Sequence, residues 1–548
     1  MSTIFSKDGI ATTQITRFDG GIVNDPRNPK ESIARIISNF DAITSANKLI
    51  PYRSSEAGDT NANATRISNY CIARRDGTTY SLYGLGRTSA ASVLAEIYYK
   101  NLTTSSANDL DDSDWTETAN NVSASGSQDY NLFAYYRKSG MIYFAKAGTT
   151  ICAYDPTGAT ALAEGGSGES VTIAYTYIGQ GITHSKDGIF YVPVYNNAGA
   201  AGAKSFIISK NGTGAWNTSA LALPDHLIPT SISESGNFLA IACAPASGVG
   251  NSVVYLWDRD STLVSESIDW GTGSLVIIEE IDGELVGISQ KGGTGTSFSG
   301  IPHGTSSHRD KVIFRRLVGI KAKKFLEIQA NHAGSSNTTK IPLYKQTVDN
   351  RLLFQMFIEL NGSVRDGIWS IGRSGPNEEF ALIHERTSNN NTALVTGDIP
   401  NGFFLIGDYL FQSYLVNATS IFNITKTDDG STFSHNSVYE TKTYDAGDAS
   451  FYKDLLEVVV QTEYMPAAGQ ITLAYQVDED IGTSTWTTIF TNSTNNSISH
   501  TANNIESSGV QLPRAYKQIA FRILSTGGTE VTGLLFREQI IGRKYIAD

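Results

Sequence analysis

Residues 181–236 read GITHSKDGIFYVPVYNNAGAAGAKSFIISKNGTGAWNTSALALPDHLIPTSISESG, and they decide the fold. A short run, Ile182-Thr183-His184, meets the turn Lys186-Asp187-Gly188, and the strand Ile189 to Tyr195 follows. A small-residue loop leads to a second strand, Lys204 to Ile208. Asn211-Gly212, Trp216 and a last strand around Leu221-Ala222-Leu223 complete the unit. Asp-Gly and Asn-Gly between apolar runs are hairpin turns, because both central residues take positive φ. The stretch is a four-stranded antiparallel meander, and a new copy opens at Ile232 with the turn Ser235-Gly236.

The same turn-then-strand pattern recurs at Gly77, Gly140, Gly188, Gly236, Gly283, Asn350 and Asp408, with spacings of 63, 48, 48, 47, 67 and 58 residues. Each anchor precedes an apolar strand such as Met141-Ile142-Tyr143-Phe144 or Leu285-Val286-Gly287-Ile288. A second apolar strand then ends in polar turn residues, as in Val253 to Asp258. A four-stranded repeat of roughly 40–50 residues is the signature of a propeller blade. The chain is therefore expected to be all-β, with a β-propeller of about seven four-stranded blades over residues 61–440.

Two segments fall outside the repeat. Residues 1–60 carry glycines, prolines and one amphipathic patch, Ile33, Ile36, Ile37 and Phe40, whose spacing predicts a short helix in an N-terminal arm. Residues 441–548 hold five strand candidates, Leu455–Val460, Ile471–Tyr475, Thr485–Ile489, Lys517–Ile523 and Val531–Phe536, at the spacing of a C-terminal β-sandwich.

Composition narrows the function. The chain has 548 residues, 51 of them glycine, with 18% charged residues and a net charge of -12, which argues against a general nucleic-acid binder. Cys71, Cys152 and Cys243 are too few and scattered for a disulfide framework and are expected as buried free thiols. The N-terminus shows no apolar leader and no run is long enough to span a bilayer, so synthesis in a cytoplasm is expected.

A search for chemistry finds no phosphate loop, dinucleotide fingerprint, nucleophile elbow or zinc-protease helix. His303 and His308 share the Gly-, Ser- and Thr-rich insert 292–308 without companion ligands. Asp109, Asp111, Asp112 and Asp114 have the alternation calcium likes, but lack the glycine and glutamate of an EF-hand loop. Asp428-Asp429-Gly430-Ser431-Thr432-Phe433 looks like the structural Asp-box hairpin of sialidase-type propellers. A sialidase would also need an arginine cluster and a Tyr–Glu pair, and adjacent Tyr439-Glu440 point to opposite faces of a strand. On these grounds no enzyme, metal or cofactor is expected. Arg309, Lys311, Arg315, Arg316, Lys321, Lys323 and Lys324 form one basic ribbon suited to an acidic partner surface or a phosphate backbone.

Gly20-Gly21, Asp25-Pro26, Asn39-Phe40-Asp41 and Leu49-x-Pro51-Tyr52-Arg53 together resemble the opening of tail and nozzle-type structural proteins of tailed bacteriophages. There such an arm precedes a propeller, and the segment from Tyr475-Gln476-Val477-Asp478 through Trp486-Thr487 to Ile519-Ala520-Phe521-Arg522 looks like the sandwich that follows. The resemblance implies a virion component without catalysis. It would form a ring, typically a hexamer, around the DNA exit channel, with adaptor, nozzle or tail-fibre subunits as partners. Asp25, Pro26, Phe40, Tyr52 and Arg53 would then belong to an assembly arm, and an acidic lumen would let DNA pass without sticking. A second reading is a carbohydrate-binding adhesin or receptor-binding propeller, with Trp115, Trp216 and Trp270 as loop aromatics for sugars. A sialidase-like glycosidase is third.

Overall fold

Seven hairpins set the architecture of the computed structural model. It describes residues 2–542 apart from 6–8, 23–32, 54, 58–66, 76–78, 88–93, 103–114, 124–131, 147–148, 158–168, 198–203, 293–309, 330–338, 340, 342–343, 361–362, 388–398, 408, 417–420, 428–432, 434–435 and 504–510. Gly140, Gly236, Gly283 and Asn350 each fall between the first two strands of their blade, and Gly188 falls between Ile182–Thr183 and Phe190–Asn196 of the third. Gly140, Gly188, Gly236 and Gly283 take φ of 73°, 61°, 58° and 76°, and Asn350 takes 59°. That left-handed region is open to glycine and tolerated by asparagine. Among the described residues every regular element is a strand except one 3-10 turn, Asp478–Asp480. None of these residues forms a helix long and apolar enough to cross a membrane.

The first blade runs from Ile67–Arg75 to Thr116–Ser123, the second from Phe133–Tyr136 to Val171–Thr172, and the third from Tyr177–Ile178 to Asn217–Leu223. The fourth spans Leu227–Ser235 to Glu266–Thr272, the fifth Ser274–Ile281 to Lys321–Gln329, and the sixth Lys345–Val348 to Ala381–Arg386. The seventh has three strands of its own, Ile399–Ile406, Tyr409–Val416 and Ile421–Thr427. Its fourth is Ser55–Ala57, with Lys426 opposite Glu56. The first strand of the seventh blade packs on that of the first and closes the ring.

Apolar side chains fill every joint between blades. Cys71, Tyr83 and Ile97 meet Phe144 and Cys152 between the first two blades. Tyr143, Phe190 and Trp216 lock the second to the third, with Trp216 edge-on to Tyr143 at 5.1 Å. Trp270 lies between the fourth and fifth, and Trp115 meets Phe411 across the closing joint at 5.9 Å. Cys71, Cys152 and Cys243 are buried free thiols in these joints.

The C-terminal module is a sandwich of two sheets. One orders Ser2–Phe5, Ile10–Ile15, Val531–Gly542, Tyr452–Thr462 and Ser499–Asn503. The other orders Ala34–Ser38, Ser437–Thr441, Ile519–Thr526, Gln470–Val477 and Thr487–Asn492. Phe521 and Phe536 meet between them at 4.9 Å. A parallel bridge from Ser38 to His384 joins the second sheet to the sixth blade, and one apolar core runs through both.

The helix expected at Ile33 to Phe40 is instead the strand Ala34–Ser38, with all five residues buried. A helix would bury one stripe, whereas this segment is covered on both faces, where β-branched isoleucines fit a strand. The N-terminal segment thus supplies strands to both sandwich sheets and to the last blade.

Candidate functional site

Asn39-Phe40-Asp41 turns back on Ile50-Pro51-Tyr52, pairing Phe40 with Pro51 and Asp41 with Ile50. Asn39 takes φ 59°, and its carbonyl accepts the Tyr52 N–H at 3.1 Å. This hairpin lies against the sixth and seventh blades and frames a cavity of about 340 Å³ that also reaches Arg53 and Phe433. Arg351, the first residue after the sixth anchor, lines it.

Arg351 Nη1 donates to Glu385 Oε1 at 3.0 Å and to the Tyr52 hydroxyl at 3.2 Å, and lies 3.3 Å from Asp41 Oδ2. Asp41 is held in turn: its Oδ1 accepts the N–H groups of Ile43 (2.9 Å) and Thr44 (3.0 Å). Gly372 leaves the arginine its room, since a Cβ there would sit 2.7 Å from Arg351 Cγ. The Arg386 guanidinium covers the Tyr52 ring at 4.8 Å. The cavity lining carries three carboxylates (Asp41, Asp349, Glu385) and three guanidiniums (Arg53, Arg351, Arg386), so its charge is balanced.

Burial, and then the charges of Glu385 and Asp41, push the Tyr52 phenol well above its ordinary range. It stays protonated, and its oxygen accepts from Arg351. Burial alone would loosen the proton of Arg351, but Glu385, Tyr52 and Asp41 outweigh it and the guanidinium stays charged. Alternating fixed donors and acceptors beside an aromatic ring suit a polyhydroxylated ligand.

Tyr52 and Arg53 line this cavity, whereas Phe40 is fully buried in the chain's own core and is not free to meet a neighbour. Asp25 and Pro26 lie outside the described residues, as do the aspartates at 109–114, His303, His308, Arg309 and the Asp-box hairpin apart from Phe433. The basic ribbon is divided. Arg315 is buried and donates to the Thr272 carbonyl at 3.0 Å, and Arg316 pairs with Glu284 at 3.3 Å. Lys311 and Lys324 share Glu327, at 2.6 Å and 2.9 Å, and Lys321 and Lys323 are exposed with no ion pair among the described residues. Strand alternation produces the division. Trp115, Trp216 and Trp270 are core residues of the blade joints, so they offer no platform to a sugar. Arg351, Glu385 and Arg386 escaped the sequence reading because each comes from a strand far in sequence from Asp41. Their signal was charge at the edges of the apolar runs 352–354 and 380–383.

No protein-family model and no curated protein sequence matches the chain. Solved structures match it in fold. The Dos1 propeller is 10% identical with a TM-score of 0.35, over 71% of this chain and 82% of its own. A Trypanosoma rangeli sialidase is 10% identical with a TM-score of 0.30, over 96% and 95%. The Bacillus licheniformis GH43 protein BlXynB is 10% identical with a TM-score of 0.30, over 89% and 100%. The expectation that this chain is no enzyme is corrected here, because the propellers it is similar to include glycoside hydrolases. At such identities the likeness is one of fold and carries neither substrate nor reaction across.

Proposed function

We propose that this protein is a carbohydrate-recognising β-propeller and that the cavity around Arg351 seats a neutral sugar unit. The observation behind the reading is the convergence of Tyr52, Glu385, Arg351 and Arg386 on one charge-balanced space of about 340 Å³. That volume is near the lower end for small-molecule pockets and suits one or two sugar rings. Glu385 accepts from sugar hydroxyls, Arg351 and Tyr52 donate, and the ring of Tyr52 gives an apolar face. A glycan array on the full chain, followed by calorimetry on the hits, tests this. Glu385→Gln should weaken binding about tenfold, the loss of one charge-assisted hydrogen bond. An array with no retained glycan, or a Glu385→Gln chain that binds as well as the parent, ends the proposal. Fluorogenic glycosides, a sialoside among them, would show whether bound sugar is also cleaved.

One observation favours a second reading, a subunit of a phage tail. Three of the residues that carry the resemblance to tail and nozzle proteins, Gly21, Leu49 and Asn39, meet specific backbone demands. Gly21 takes φ 72°, and a Cβ there would lie 2.7 Å from Leu382 N. Leu49 exchanges backbone hydrogen bonds with Val531 at 2.9 Å and 3.1 Å. The Asn39 amide donates to the Asn436 carbonyl at 3.1 Å. Electron microscopy of the purified protein would show rings around a channel under this reading; a strict monomer that no virion incorporates would speak against it.

A further inference from the structure

One wall of the cavity around Arg351 comes from beyond the blades. Among the described lining residues two carry aromatic rings, Tyr52 and Phe433. The Arg386 guanidinium already lies over the Tyr52 ring at 4.8 Å. Phe433, which follows the last strand of the seventh blade, is half-buried, and among the described residues no cation and no second ring lies on it.

Phe433 is held from the sandwich. Its carbonyl accepts the Gly527 N–H at 3.0 Å. Gly527 and Gly528, at φ 63° and 81°, turn between Ile519–Thr526 and Val531–Gly542, one strand from each sandwich sheet. A Cβ on Gly528 would lie 2.9 Å from Phe433 Cδ2, 3.1 Å from Cε2 and 3.2 Å from Cγ. Near-equal distances to three consecutive ring carbons mean an approach from above the ring plane. An approach within the plane would reach one carbon and leave its neighbours well behind. The Gly528 backbone therefore backs one face of the ring, at a position where glycine alone fits without strain. An aromatic face is partially negative and attracts the weakly positive C–H bonds on one side of a sugar ring.

We infer that Phe433 is the stacking platform of this cavity: its other face meets the C–H face of a pyranose, and the Gly527–Gly528 turn of the sandwich holds it there. The ligand class is a cyclic pyranoside, because an open-chain polyol offers similar hydroxyls without a flat C–H face. This assignment rests on the sugar reading of the cavity and adds to it a residue and a ring requirement.

The test is calorimetry on the full chain with methyl β-glucopyranoside, methyl β-galactopyranoside and methyl β-xylopyranoside, set beside glucitol, galactitol and xylitol. At least one pyranoside should bind and its matching polyol should not. Phe433→Leu should weaken that binding about tenfold, and Phe433→Tyr should keep it. In a parent chain made with fluorophenylalanine, one fluorine NMR signal should move on adding the pyranoside, and that signal should be missing from Phe433→Tyr. This decides the matter if Phe433→Leu does not fold. Polyol and pyranoside bound equally, Phe433→Leu binding like the parent, or no Phe433 signal moving with bound pyranoside overturns the platform. Where Glu385→Gln still weakens binding in those cases, the sugar reading survives its loss. A parent chain that takes up none of the pyranosides removes both.

Discussion

Arg351 joins three groups that would otherwise repel or stand unpaired. Asp41 and Glu385 are both buried, at 8% and 5% exposure, and both lean on its Nη1. Replacing it with methionine leaves two carboxylates facing each other in a low-dielectric space. The expected loss is about 3–5 kcal/mol, as for other broken buried pairs. Glu385→Gln keeps a polar partner for Arg351 and should cost nearer 1 kcal/mol. Urea midpoints of the two variants check the ranking, and equal losses would mean that charge pairing is not what holds the site. Gly21→Ala forces a Cβ to within 2.9 Å of Ala381 Cβ at φ 72°. It should destabilise the chain by about 1–3 kcal/mol, read in the same titration.

At the scale of elements, the seventh blade depends on a strand made long before the rest of it. Ser55–Ala57 pairs with Ile421–Thr427 through three residue pairs. Replacing the three residues with a flexible Gly-Ser-Gly link should raise amide exchange across 421–427 at least tenfold while leaving 227–291 protected. Unchanged protection at 421–427 would show that the blade closes without it. The blades themselves were legible in the sequence, because Gly188, Gly236 and Gly283 mark hairpins that local rules require. The strand at Ala34–Ser38 was not. Its helical spacing is real, and only cover on both faces, a tertiary fact, makes it extended. The cavity was half legible: Tyr52 and Arg53 stood out in a motif, but nothing local ties Arg351 or Glu385 to Asp41.

For the whole molecule, buried histidines add to the response to acid. Burial holds His384 down to about 3 from an ordinary 6.5, and it also lowers His184 and His500. The unfolded chain takes up these protons and the folded chain refuses them. Stability is therefore full above the unfolded value and falls as pH drops from 6.5 toward about 3. The urea midpoint should fall between about pH 7 and about pH 5, and His384→Asn should flatten part of that slope. A midpoint that rises on acidification would contradict this assignment. Ile15 pairs with Leu534, and Leu49 with Val531. On a ribosome Ile15 and Leu49 must stay unpaired until residues 531–534 have emerged. A message stalled before residue 531 would leave that sandwich sheet unfinished.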